Sequence, residues 1–173
     1  GCKSLASIVI PDSVTSIGDS AFSDCESLAS VVIPEGVTSI DNGAFDGCSS
    51  LTSVVVPEGV TSIGDRAFER CESLTSIVIP EGVTSVGERA FERCESLTSV
   101  VIPKGVTSIG KYAFSGCSSL TIYCAAEKKP KGWSRDWKPS DCPVVWGYKS
   151  KPSERKFRKN KKIIGSTLSS ASL

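Results

Sequence analysis

Shifted by 23 residues, this chain falls on top of itself. Cysteines recur at Cys2, Cys25, Cys48, Cys71, Cys94 and Cys117, and Leu5, Leu28, Leu51, Leu74, Leu97 and Leu120 keep step with them. Pro11, Pro34, Pro57, Pro80 and Pro103 follow, and Phe22, Phe45, Phe68, Phe91 and Phe114 close each unit. A fixed period of this length belongs to repeat architectures, in which one unit cannot bury its apolar side alone and stacked neighbours share a continuous core. The pattern therefore predicts a repeat solenoid over residues 1–122. Its columns would hold Cys25, Cys48, Cys71, Cys94 and Cys117 and the five phenylalanines as structural core.

Within a unit, Leu97 to Pro103 reads as a short strand, rich in β-branched residues and bounded by Ser, Gly and Pro. Alternation, with an irregular first step, sends Leu97, Val100 and Ile102 inward and Ser99, Val101 and Pro103 outward. Ile79-Pro80-Glu81-Gly82 fits a type I turn with Pro in second place. Val83 to Val86 is a second extended piece with Val83 and Val86 inside. Gly64, Gly87 and Gly110 then permit a bend, and Glu88 to Arg93 reads as one helical or 3₁₀ turn. Stacking in register gives a parallel β-sheet on one face, with strands ~4.8 Å apart, and short extended and 3₁₀ or helical turns on the other.

The unit Cys-x-x-Leu-x-x-[Val/Ile]-x-[Ile/Val]-Pro-x-x-Val-x-x-Ile-x-x-x-Ala-Phe resembles the BspA-like (treponemal-type) leucine-rich repeat family. The resemblance covers residues 1 to about 122 and implies a curved solenoid on secreted or cell-surface proteins of bacteria and some protozoa. It also implies adhesion through binding of host or matrix proteins. One unit departs from the pattern, with Asp41-Asn42-Gly43 where others carry Gly-x-x. Fold does not name a ligand, because function sits in surface residues.

The cysteine column invites a disulfide or metal reading. Parallel side chains in register approach each other poorly for a disulfide dihedral, and a zinc site needs convergent ligands that a straight column cannot offer. The chain also has no histidine. Buried Cys behaves as a small apolar filler, so the column reads as free thiols with no metal. Cys124 and Cys142 lie outside the period. A bridge between them would close a loop of ~18 residues, worth about 3 kcal/mol in the chain-entropy model; the sequence leaves that pairing open.

Residues 123–148 read as a C-terminal cap. A solenoid end exposes its core, so Trp133 and Trp137 either cover the last coil or stand ready to stack on sugars or peptides. Residues 149–173 read as a basic, disordered tail: Lys149 to Lys162 holds eight basic residues against Glu154 alone. Net charge of +1 hides this split, with seven basic against fifteen acidic residues up to Leu120 and thirteen against four beyond it. No apolar run approaches the ~20 residues that a membrane helix needs. No signal peptide is visible, but the chain starts in mid-repeat without methionine and so reads as a piece of something longer.

Two kinds of binding compete as the function. Ser7, Ser30, Ser53, Ser76 and Ser99 and, beside them, Val9, Val32, Val55, Val78 and Val101 form outward columns of the sheet, a β-branched ridge edged by hydroxyls. Ser30, Val32, Ser53, Val55, Ser76, Val78, Ser99 and Val101 are its candidate partner-binding residues. Asp12, Glu35, Glu58 and Glu81, ending in Lys104, make an acidic rim. Arg66, Arg70, Arg89 and Arg93 interleave with Asp65, Glu69, Glu88 and Glu92 on the other side, as charge pairs between adjacent units. The first function is thus a protein-binding module for adhesion or scaffolding; the second is polyanion or nucleic-acid binding through the tail. Catalysis finds no support: there is no His base, no recognisable nucleophile elbow and no carboxylate pair across a cleft, and nothing calls for a cofactor or small-molecule substrate.

Overall fold

A computed structural model describes residues 1–149, and the expectations for residues 150–173 lie outside the described residues. Each of the first five coils contributes one strand to each of two parallel sheets, and two further strands extend the larger one. The larger has seven strands, β1 (Ser7–Val9), β3 (Ser30–Val32), β5 (Ser53–Val55), β7 (Ser76–Val78), β9 (Ser99–Ile102), β11 (Thr121–Cys124) and β12 (Val144–Val145), in that order. The smaller has five, β2 (Ser16–Ile17), β4 (Ser39–Ile40), β6 (Ser62–Ile63), β8 (Ser85–Val86) and β10 (Ser108–Ile109). Pairing follows the sequence period, with Ser7 opposite Ser30, Ser30 opposite Ser53 and Ser53 opposite Ser76. The chain is a β-solenoid, and its core is one cluster running through every coil.

Inward columns form as alternation requires. Leu97, Val100, Ile102, Val83 and Val86 are buried, and so are Phe45, Phe68, Phe91 and Phe114 and the five thiols from Cys25 to Cys117. Phe22 is half-buried, because its ring meets another on one side alone. Successive phenylalanine rings stack nearly parallel, with centres 5.2 to 5.5 Å apart. The thiols of Cys48, Cys71, Cys94 and Cys117 each donate to a phenylalanine carbonyl two coils' ends back, as Cys71 Sγ does to Phe45 O at 3.3 Å and Cys94 Sγ to Phe68 O at 3.2 Å. The weak donor is thereby satisfied without leaving the apolar column.

Three local expectations change. Pro34, Pro57, Pro80 and Pro103 are buried and do not face outward with Val101. The turn begins one residue later than expected, since the Val83 N–H donates to Pro80 O at 3.1 Å, putting Pro first and folding its ring under the corner. The third change is on the far side, where the described residues form isolated i→i+3 turns, such as Glu69 N–H to Arg66 O at 3.0 Å, and no helix or continuous 3₁₀ segment. Arg66, Arg70, Arg89 and Arg93 instead take left-handed backbone conformations, with φ of 56° to 59°. The neighbouring N–H groups then point along the stack: Arg66, Phe68 and Arg70 donate to Glu88, Ala90 and Glu92 of the next coil, each at 2.8 Å. A helical turn would satisfy these groups within one unit; here they tie units together.

The same rule explains Asp41-Asn42-Gly43. Gly43, at φ 61°, fills the left-handed position that Ser20, Arg66, Arg89 and Tyr112 occupy in other coils. Gly64 is needed for a different reason: a Cβ there would stand 2.7 Å from the Asn42 N of the coil behind it. The close approach lets Asn42 Oδ1 accept the Asp65 N–H at 2.9 Å, as Asp19 Oδ1 accepts the Asn42 N–H at 2.9 Å.

Residues 125–148 continue the stack in aromatic form. Trp133 bridges to Ile109 in the smaller sheet, while Asp136 O and Trp137 O receive the Tyr112 and Phe114 N–H groups at 2.6 and 3.1 Å. Val144 pairs with Ile122 in the larger sheet.

Candidate binding surface

The outward face of the larger sheet brings the predicted columns side by side. Ser30, Ser53, Ser76 and Ser99 stand in register, as do Val32, Val55 and Val78, and Val101 pairs onward to Tyr123. Their exposure is uneven. Val9 is 79% exposed and Val32 43%, while Val55, Val78 and Val101 are half-buried. Asp12, Glu35, Glu58, Glu81 and Lys104 are all exposed, at the corner three residues beyond each outward Val.

The ridge extends further than sequence alone foresaw. Thr121 pairs with Ser99 and Tyr123 with Val101, so Tyr123 continues the valine column, and Val145 follows it. Tyr148 packs against Tyr123, ring centres 4.8 Å apart. The signal was present: relative to Leu97-Thr98-Ser99-Val100, the run Leu120-Thr121-Ile122 lacks one residue, which turns Ile122 inward and Tyr123 outward.

Other candidates are placed elsewhere. Trp133 and Trp137 are each only 3% exposed, and Trp133 Nε1 donates to Val106 O at 3.1 Å, so neither ring is open to a ligand. Cys124 and Cys142 are both free, buried thiols on different columns. Cys124 takes the place of Ile102 in the sheet, whereas Cys142 donates to Leu120 O at 3.3 Å beside the thiol column. Burial pushes the Cys48, Cys117 and Cys124 thiols up to about 12 and holds Cys71 and Cys94 well above their ordinary value. Such thiols stay neutral and are poor nucleophiles. Among the described residues no group of three or more Cys, Asp or Glu is placed to hold a metal ion, and no helix is long and apolar enough to cross a membrane.

On the turn face, pairing is less regular than the expected unit-to-unit scheme. Arg70 does bridge coils, reaching Asp46 at 3.2 Å and Asp24 at 3.6 Å. Arg66 and Arg89 pair with Glu69 and Glu92 of their own units, each at 3.5 Å. Partial burial, then Asp46 and Glu92, raise the Glu69 carboxyl above its ordinary value. These contacts hold the turns and leave the uncharged ridge as the distinct surface.

Residues 1–121 match the BspA-type leucine-rich repeat region in six copies. The chain belongs to that family. Among solved structures, this BspA-type chain is similar to the leucine-rich repeat protein of T. pallidum, at 35% identity over 68% of this chain and 58% of that one, with a TM-score of 0.66. It is similar to a leucine-rich repeat protein of Bacteroides ovatus, at 33% identity over 75% and 35% of the two chains, TM-score 0.67. A leucine-rich cell-surface protein of Faecalibacterium prausnitzii matches at 38% identity over 72% and 40%, TM-score 0.54. This BspA-type chain thus spans between 35% and 58% of the length of these three proteins. No curated protein matches it.

Proposed function

We propose that the chain is a non-enzymatic protein-binding module of a secreted or cell-surface protein, acting in adhesion or scaffolding through the outward face of its larger sheet. The observation that carries this reading is the uncharged strip made by the Ser column and the Val55–Val78–Val101–Tyr123 ridge, bordered by an acidic row. Aligned apolar area on an otherwise charged surface is the usual mark of an interface. The similarity to a cell-surface protein supports the address. Host or matrix proteins are the partner class.

The test is surface plasmon resonance of the full chain against purified extracellular-matrix proteins, with the Val55→Lys, Val78→Lys double variant beside it. Binding of a matrix protein, weakened at least ~10-fold in the variant at unchanged melting temperature, is the expected result. Equal binding by both would move the site to the turn face or the cap.

A further inference from the structure

The strip is narrow. Six strand spacings of ~4.8 Å make it about 29 Å long, and strands of three to four residues make it only ~10–13 Å wide. That is the footprint of one polypeptide segment, well short of the ~800 Å² per partner of a standard globular interface. Along one border runs the acidic row of Asp12, Glu35, Glu58 and Glu81. At the far end the chain itself arrives: Tyr148 packs on Tyr123, which is part of the ridge, and the next residue is Lys149.

We propose that the strip is occupied by this chain's own residues 151–164. The proposal rests on the sheet face being a docking surface and names its resident occupant. The segment carries seven Lys/Arg against Glu154 alone, with Phe157, Ile163 and Ile164 among them. Charge and apolar content thus complement the acidic row and the valine ridge together. Reach is sufficient, since fourteen residues span up to about 46 Å, more than the length of the strip. Attachment at the ridge's end makes the encounter intramolecular, at an effective concentration on the order of millimolar, so individually weak contacts suffice. An external partner then has to displace the segment, and partners that carry the same mixture of cationic and apolar residues compete for the strip best.

Carbodiimide cross-linking of the full chain, which joins lysine amines to carboxylates with loss of water, tests this directly. At about 20 mM salt, mass spectrometry of the monomer should find Lys156, Lys159, Lys161 or Lys162 joined to Glu35, Glu58 or Glu81; at about 500 mM salt those products should fall at least ~5-fold. The double variant Glu58→Lys, Glu81→Lys, whose exposed positions leave the fold unchanged, should shift the products to Asp12 and Glu35 or abolish them. Cross-links spread equally over the turn-face acids Asp65 and Glu88, found only in dimers, or absent would overturn the proposal. A matrix protein that still binds the sheet face in that event leaves the docking surface intact and removes only the resident segment.

Discussion

Trp137 meets Phe114 edge to face, ring centres 6.0 Å apart, where the column of parallel phenylalanines stops. Trp133 in turn lies edge-on to Trp137 at 4.8 Å. A flat ring would leave another flat ring's surface exposed; the perpendicular indole ends the series and presents its own faces to the cap.

Trp137→Ala should therefore destabilise the fold about as strongly as losing an interior phenylalanine, roughly 3–5 kcal/mol in chemical denaturation. Phe68→Ala should fall in the same range. Phe22→Ala, at a half-buried ring, should cost clearly less. Equal losses for Phe68 and Phe22 would mean that the first coil is as well covered as the third.

Gly64→Ala and Gly18→Ala form a matched pair. The first places a methyl 2.7 Å from backbone of the preceding coil and should destabilise by about 1–3 kcal/mol; at Gly18 a Cβ meets nothing within 4 Å. Gly18→Ala should thus be neutral or gain up to ~1 kcal/mol through the unfolded chain's lost freedom. Thermal unfolding of the two variants checks the contrast.

Alkaline pH should unfold the protein through its thiols. Cys48, Cys117 and Cys124 ionise at about 12 when folded, and Cys71 and Cys94 also lie well above the ordinary value. Unfolded thiols ionise near ~8.5, so below that pH both states hold the proton and these groups exert no effect. Between about 8.5 and 12 only the unfolded state releases it, and stability falls by ~1.4 kcal/mol per pH unit for each such thiol. Denaturation midpoints across this range should show the decline, and Cys71→Ala should reduce the slope by one proton.

Glu69 gives a prediction of opposite placement. Its folded pKa is raised, chiefly by burial, so the ionised form disfavours folding above the ordinary carboxylate range and the penalty disappears as pH falls below it. Glu69→Gln should gain up to ~0.5 kcal/mol at pH 7, the gain being small because the ion pair with Arg66 is partly solvated. The advantage should vanish near pH 4.

The period, the inward columns and the sheet face are legible in sequence because each is stated several times over, and repetition averages out local ambiguity. Val100 and Ile102 could be assigned from alternation, and Leu97 by allowing an irregular first step before the strand. The turn face could not: nothing in Arg66 or Arg89 announces a left-handed backbone, since Arg has no special preference for it. What holds them there is the coil-to-coil bonding of their N–H groups, a relation between residues 22 apart, as from Arg66 to Glu88. The cap hides its continuity because Trp133, Trp137 and Cys142 serve existing columns at irregular intervals, and no periodic comparison finds them. Tyr123 was one missing residue away from being legible.

The phenylalanine stack has a last consequence. Each interior ring touches only the rings immediately above and below, and the coils of Phe45, Phe68 and Phe91 meet through the same nearly parallel stacking. Excising residues 71–93 would bring Phe68 under Phe114 with like meeting like, and duplicating them would insert a coil just as cleanly. Length is thus a freely adjustable dimension of this molecule, open to unequal recombination of its gene, and with it the span of target that one copy can measure.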